Sequence, residues 1–430
     1  MLPAPSVSSS CHLRPRRYIS SASTHAYPHD MTPATRRLAE AILSSEHDVP
    51  SLHDGRTSRR LALSRAITLI ESHAEMHMRQ ADLLLNFLLR HSAIGDDNEK
   101  RPSTNSDNAA KDGSSSFRVG IAGPPGAGKS SFIEKFGLYV LNNKSTQDES
   151  SVTRDTDGQS CDQNPGTGDT NEDDNKEYSP SKLAVVCIDP SSSLTGGSIL
   201  GDKTRMTELS RHDRAFVRPS PNRGTLGGLA AYTNDAVTLC QSAGYELVLV
   251  ETVGLGQSEI EICEGVDMLL LLVPPGGGDS LQGAKKGIVE LASMLVVNKA
   301  DGNLLPAART TASDYEAAIR FFRHRDDGWD IPPVLLASAK TGEGMERIWD
   351  EIVRYRQIMM ANGELQKKRQ KQNLYWMHKN LRELIITRAK SDPVLREMSE
   401  QLETDLIKGL VTPRAAAKEL VDSITKASTN

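Results

Sequence analysis

No stretch of the chain approaches the ~18 uncharged apolar residues that a membrane-spanning helix needs, and the richest apolar run, 268–273, is only of strand length. A helical membrane protein is excluded. A cationic surface is missing too: 51 Lys and Arg stand against 56 Asp and Glu, a net charge of -5, so nothing recommends nucleic acid as a partner. Cys11, Cys161, Cys187, Cys240 and Cys263 lie far apart with no Cys-x-x-Cys pair. That spacing fits neither a disulfide framework nor a thiolate zinc site and points to a reducing, intracellular compartment. His73 and His77 stand one helical turn apart, but Glu75 is out of order for a His-Glu-x-x-His site, so a solvated helix face is the expectation. Acidic residues are absent from the first 29 positions, which carry Arg14, Arg16, Arg17 and many serines. This is the composition of a mitochondrial transit segment over 1–30. An unstructured terminus on a cytoplasmic protein is the alternative.

What is present suffices for a full core: 430 residues, 37% of them hydrophobic. Over 31–94 apolar residues recur at helical spacing, notably Ala62, Ala66, Ile67 and Ile70, then Leu83, Leu84, Phe87 and Leu88, which predicts an N-terminal helical arm. A polar linker is expected over 95–116. From 117 to 343 strand-like runs at 117–122, 183–188, 246–252, 268–273, 294–297 and 334–337 alternate with helical patterns. Such alternation predicts an α/β fold with a mostly parallel sheet covered by helices. Residues 142–181 are rich in Asp, Glu, Ser, Thr and Asn, the composition of a disordered acidic insertion. From 344 to 430 the pattern is helical again, with Leu374, Met377, Leu381 and Leu384 forming a stripe. That stripe packs either on the chain's own sheet or on a partner subunit.

The run Gly123, Pro124, Pro125, Gly126, Ala127, Gly128, Lys129, Ser130 follows an expected strand and, with Ser131, opens a helix. This is the context of a phosphate-binding P-loop. Backbone N–H groups turn in around phosphate oxygens, the helix N-terminus adds a favourable dipole, Lys129 reaches the terminal phosphates and Ser130 suits Mg2+. A second apolar run ends in Glu251, placed to hold the metal where Asp is usual, and Gly254 behind it can approach the terminal phosphate. The run 294–297 leads into Asn298, Lys299, Ala300 and Asp301, and the Asp301 carboxylate can accept two hydrogen bonds from the edge of guanine, which adenine lacks. Ser338, Ala339 and Lys340 supply a second base-side loop. The order of these elements predicts a GTP/GDP site and a GTPase.

Further stretches are more specific: Ile188-Asp189-Pro-Ser-Ser, Gly196-Gly-Ser-Ile-Leu-Gly-Asp202-Lys-Thr-Arg-Met206, Arg218-Pro-Ser-Pro-Asn-Arg-Gly-Thr-Leu-Gly-Gly228 and Glu251-Thr-Val-Gly-Leu-Gly-Gln-Ser258. With them the chain, over about residues 59–421, resembles the methylmalonyl-CoA mutase accessory GTPases, the family of MeaB, ArgK-like and mitochondrial cobalamin A-type proteins. The resemblance implies that Asp189, Asp202 and Glu251 join Ser130 around Mg2+, and that Lys129, Asp202 and Glu251 carry catalysis. Acids beside a phosphate cluster are tolerable only with a cation between, so a shared metal is physically coherent. It implies that the Gly-rich loop Gly276 to Lys286, with Asp279, Gln282 and Lys285, couples nucleotide state to methylmalonyl-CoA mutase. It implies a homodimer through the C-terminal helices, and a GTP-driven gate on adenosylcobalamin loading and mutase protection. The insertion 142–181 and the long linker depart from the family pattern without touching a motif. A metal-delivery GTPase, which would call for a His- or Cys-rich tract, and a small-molecule kinase of the amino acid transport type are the alternatives.

Overall fold

The computed structural model describes residues 27–44, 58–72, 74–95, 116–152, 178–190, 206–222, 231–252, 261–276, 286–321, 327–329 and 331–427. The chain divides into two compact units, Met1–Gly113 and Ser114–Asn430. In the first, helices α1 (Pro33–Leu43), α2 (Arg59–Ile70) and α3 (Glu75–Gly95) pack together through Ala39, Ile42, Ala62, Leu63, Ala66, Ile67, Leu84 and Leu88. Thr32 and Ser58 cap the first two helices, each hydroxyl accepting an early backbone N–H. Gln80 of α3 accepts from Thr32 N and donates to Asp30 O, tying the start of α1 to α3.

The second unit is built on a seven-stranded sheet in the order β3-β2-β4-β1-β5-β6-β7, with every pairing parallel. The strands are β1 (Phe117–Ala122), β2 (Leu183–Pro190), β3 (Ala215–Asn222), β4 (Leu247–Glu251), β5 (Met268–Val273), β6 (Met294–Val297) and β7 (Val334–Leu336). Central strands are buried at every position, and apolar at nearly all of them, because helices cover both faces. On one face Val119, Ile121, Leu249, Leu270 and Leu272 share a core with Phe132 and Phe136 of α4 (Lys129–Val152) and with Ile348, Trp349 and Ile352 of α9 (Met345–Ala361). The shorter helices α5 (Thr207–Arg211), α6 (Ala231–Ser242), α7 (Lys286–Leu291) and α8 (Leu305–Ile319) complete the layers, and α6 and α8 bury Ala236, Val237, Cys240, Ala308 and Tyr315. Burial pushes the Cys240 thiol up to about 12. None of the described cysteines is bridged.

Three expectations need correction. The segment 142–181 was expected to be a disordered insertion, yet α4 runs on to Val152. At its other end Tyr178 stacks on Trp349, lies under Arg356 and donates to Glu246 O at 2.7 Å, and the Ser181 hydroxyl donates to Glu246 Oε1. An aromatic ring with a core to join is held there, and only 153–177 fall outside the described residues. The strand β3 had no place in the sequence expectation because Pro219 and Pro221 interrupt it. At a sheet edge a proline's missing N–H can face away from the ladder, so the strand forms there. Finally, the helical region from 344 does not begin as a separate arm. Gly344, at φ 83° and with room for no side chain against Leu336 O, turns the chain into α9, whose buried face is part of the sheet core.

The helices that follow are α10 (Glu364–Ser391), α11 (Pro393–Ile407) and α12 (Pro413–Ala427). One side of α10 is fastened by polar contacts rather than by an apolar seam. The Asp267 carboxylate, fully buried, receives Arg118 Nη2 (2.6 Å), Arg118 N (2.9 Å), Arg369 Nε (2.9 Å) and Arg369 Nη2 (2.7 Å). Burial alone would push this acid up; the two guanidinium groups outweigh it and hold the carboxyl well below its usual range. The expected stripe Leu374, Met377, Leu381 and Leu384 lies on the other side, each residue more than half exposed, so it does not pack on the chain's own sheet.

Candidate functional site

All the loops singled out from the sequence emerge at one place, the C-terminal edge of the parallel strands, where open α/β sheets bind ligands. β1 ends at Ala122 and the chain turns at Gly123, where a Cβ would stand 2.0 Å from Leu272 O of the neighbouring strand, so only glycine fits. The loop returns through Gly126 and Gly128, both with positive φ, into the first turn of α4. Lys129 Nζ reaches back over the loop to Gly123 O at 2.7 Å. Ser130 is buried and donates to Glu251 Oε1 at 3.0 Å, which brings the end of β4 against the start of α4. Ser131 faces outward, and Pro124 and Pro125 form the outer lip of the loop.

The base-side loops lock onto this one. Asn298 is buried; its Nδ2 donates to Ala127 O at 2.9 Å, and its Oδ1 accepts from Ala339 N at 3.1 Å. One side chain thus ties the loops after β1, β6 and β7 together, and a Cβ on Gly128 would lie 2.8 Å from Asn298 Nδ2, which explains a glycine there. Lys299, with φ 61°, is the positive-φ non-glycine residue among those described, and its Nζ donates to Gly126 O at 2.7 Å. Asp301 is half-buried and accepts from Ser338 Oγ at 2.5 Å, and Thr341 N donates to that same hydroxyl. Lys340 is exposed at the rim.

The structure therefore brings together the residues from Gly123 to Ser130, Glu251, Asn298, Lys299, Asp301, Ser338 and Ala339. Asp189 ends up at the same edge, two positions beyond Cys187, the residue that pairs with Glu251; its side chain is outside the description. Asp202, Gly254, Asp279, Gln282 and Lys285 lie outside the described residues, and Lys286 opens α7. Gly276, at the near end of the Gly-rich loop, donates its N–H to Thr311 Oγ1 of α8. His77, of the His73 pair, shares a hydrogen bond with Ser72, and no cluster of three metal-ligating side chains occurs among the described residues. Thr252, read from the sequence only as part of the run from Glu251 to Ser258, is buried behind Glu251, where its N–H donates to Ile121 O and holds β4 in line with β1. A bond made by the backbone assigns no role to the residue type, so the sequence could not single it out.

Oxygen donors at Ser130 and Glu251 form a hard ligand set of the kind Mg2+ takes beside phosphate, and the arrangement can hold a nucleotide with its phosphates at the β1 loop and its base between the β6 and β7 loops. A family model described as methylmalonyl Co-A mutase-associated GTPase MeaB matches residues 177–394. The chain is 39% identical over 363 residues to the "Methylmalonic aciduria type A homolog, mitochondrial" of Mus musculus, covering 84% of this chain and 76% of that one. It is 37% identical over 387 residues to a probable GTPase of Mycobacterium bovis, covering 89% and 98%. Among solved structures it resembles that of a LAO/AO transport system kinase, with TM-score 0.57 and 26% identity over 91% of this chain and 96% of the other.

Proposed function

The chain belongs to the methylmalonyl-CoA mutase-associated GTPase family, and on that premise we propose that it is a nucleotide-driven gate on adenosylcobalamin loading and protection of methylmalonyl-CoA mutase. It is a GTP-hydrolysing P-loop protein that binds guanine nucleotide. The single observation that supports the site assignment best is Asn298, whose amide joins the phosphate loop to both base-side loops in one bonded frame.

In this reading the backbone from Gly123 to Ser131 cradles the phosphates, Lys129 leaves Gly123 O to meet the terminal phosphate, and Asp301 accepts from the guanine edge. Ser130 and Glu251, with Asp189 and Asp202, would hold Mg2+, which when bound neutralises charge on the phosphates. Catalysis rests on positioning and charge stabilisation. The loop Gly276 to Lys286 carries the nucleotide state to the mutase, and the exposed stripe on α10 seats a second copy in a homodimer. The organism-level reading is mitochondrial, supported by the acid-free, Arg-bearing start and by the named location of the mouse relative.

The test is GTP turnover measured alone and with added methylmalonyl-CoA mutase: acceleration is expected, and an unchanged rate overturns the gate. Similarity to a solved LAO/AO transport system kinase favours a second reading, a kinase of a small-molecule transport system. Labelled GTP separates the two, since a hydrolase releases the label as inorganic phosphate and a kinase leaves it on an acceptor.

A further inference from the structure

The connection between β4 and β5 starts at the nucleotide edge and ends at the opposite edge of the sheet. At its start Glu251, the last residue of β4, meets Ser130 of the phosphate loop at 3.0 Å. Its last stretch, 261–267, is held from two sides. On the inner side it rests on β1, the strand that feeds the phosphate loop. A Cβ on Gly120 would stand 2.8 Å from Ile262 Cδ1 and 3.0 Å from Val266 Cγ2, so the bare backbone three residues before Gly123 lets the segment sit directly on the strand.

The outer side of the segment presents the carbonyl groups that the end of a helical turn leaves without partners in the turn itself. α10 takes them. Gln372 Nε2 donates to Cys263 O and to Val266 O, both at 2.8 Å, and Trp376 Nε1 donates to Glu264 O at 2.5 Å. Lys368 donates to Asp267 O at 2.6 Å, and Lys379 pairs with Glu261 at 2.9 Å. Gln372, Trp376 and Lys379 are themselves buried. A displaced segment would strand these donors out of reach of water, which buried polar groups do not tolerate, so the segment and α10 move as one body or the grip opens.

We propose that Gln372, Trp376 and Lys379 form a clamp that couples the nucleotide state of the site, GTP or GDP, to the conformation of α10, and so to the exposed face bearing Leu374, Met377, Leu381 and Leu384. The proposal rests on the reading that the loop from Gly123 to Ser130 holds the nucleotide. The bound nucleotide acts on the phosphate loop that β1 feeds, and α10 holds the 261–267 segment that sits on β1. By reciprocity, whatever seats on the outer face of α10 alters nucleotide affinity.

The experiment compares the full chain loaded with GDP and with a non-hydrolysable GTP analogue, binding being confirmed by calorimetry on the same samples. Amide exchange across 364–391 should differ between the two states, by roughly 5- to 150-fold in protection if the coupling is of ordinary size. Trp376 emission should differ as well, and that difference should vanish in Trp376→Phe. In Gln372→Ala combined with Lys379→Met the exchange difference should collapse while calorimetric affinity is retained. The wild-type comparison decides even if that variant does not fold. Nucleotide binding with identical exchange over 364–391 and identical emission in both states would overturn the clamp. Failure to bind either nucleotide would instead overturn the site reading, and the coupling with it.

Discussion

At the C-terminal edge of the sheet Asp301 is half-buried and accepts one hydroxyl, from Ser338, leaving its other oxygen with no protein donor among the described residues. At the N-terminal edge Asp267 is fully buried and takes four N–H donors from Arg118 and Arg369. Both are single acids flanking a strand of one sheet. The difference is that Asp267 spends its charge on the protein, whereas Asp301 keeps acceptor capacity for something that is not protein. A carboxylate already answered by two guanidinium groups is a structural element, however perturbed its titration, and the perturbed value alone would have pointed to the wrong edge.

The contrast breaks most visibly at Asp267. Asp267→Ala leaves Arg118 and Arg369 buried beside each other, and stability should fall by roughly 3–5 kcal/mol, the usual consequence of removing one partner of a buried pair; thermal unfolding measures it. Because the folded carboxyl lies below its unfolded value, its contribution is complete above about pH 4 and is lost only as the pH falls further. The wild-type protein should therefore show an acid-side loss of stability that the variant lacks. Asp301→Asn is the opposite case. GTP affinity should drop by about ten- to a hundredfold, since a hydrogen bond to a charged group contributes roughly 1.5–3 kcal/mol. Xanthosine triphosphate should gain, and the unfolding temperature should stay put; calorimetry with both nucleotides reads this. If Asp267→Ala spared the fold, or Asp301→Asn spoiled it, the distinction between the edges would not stand.

The smallest effect sharpens the account of the N-terminal edge. Replacing 153–177 by a short Gly-Ser link should leave stability and hydrolysis nearly unchanged, because loop closure depends weakly on length. Tyr178→Phe, which removes the hydroxyl donated to Glu246 O, should cost about 1 kcal/mol in unfolding free energy. Equal losses from both changes would mean that the excised stretch carries structure.

Six of the seven strands were legible because each is a short apolar run bounded by polar residues, and the phosphate and guanine loops because their spacing is fixed by the ligand's geometry rather than by the fold. β3 was hidden by Pro219 and Pro221, since only the topology reveals that the strand lies at an edge. Tyr178 was hidden by its acidic neighbours, being one aromatic in a polar segment whose partner Trp349 lies far along the chain. The α9 boundary was misplaced because a helix covering a sheet and a helix in an arm share one periodicity. The Asp267 network had no local signal at all: Arg118, Asp267, Arg369 and Gln372 meet only once the strands are ordered.

Both margins of the sheet are poor templates for another β-strand. β3 presents a border where Pro219 and Pro221 offer no N–H, and β7, at the other side, is three residues long. A sheet that ends in this way resists being extended into a filament by neighbouring copies, a hazard for any protein whose central strands are so largely apolar. It also narrows how partners can attach. Any partner gains little by lengthening the sheet, so recognition falls to side chains displayed on helices and loops, whose presentation can change without disturbing the strands beneath.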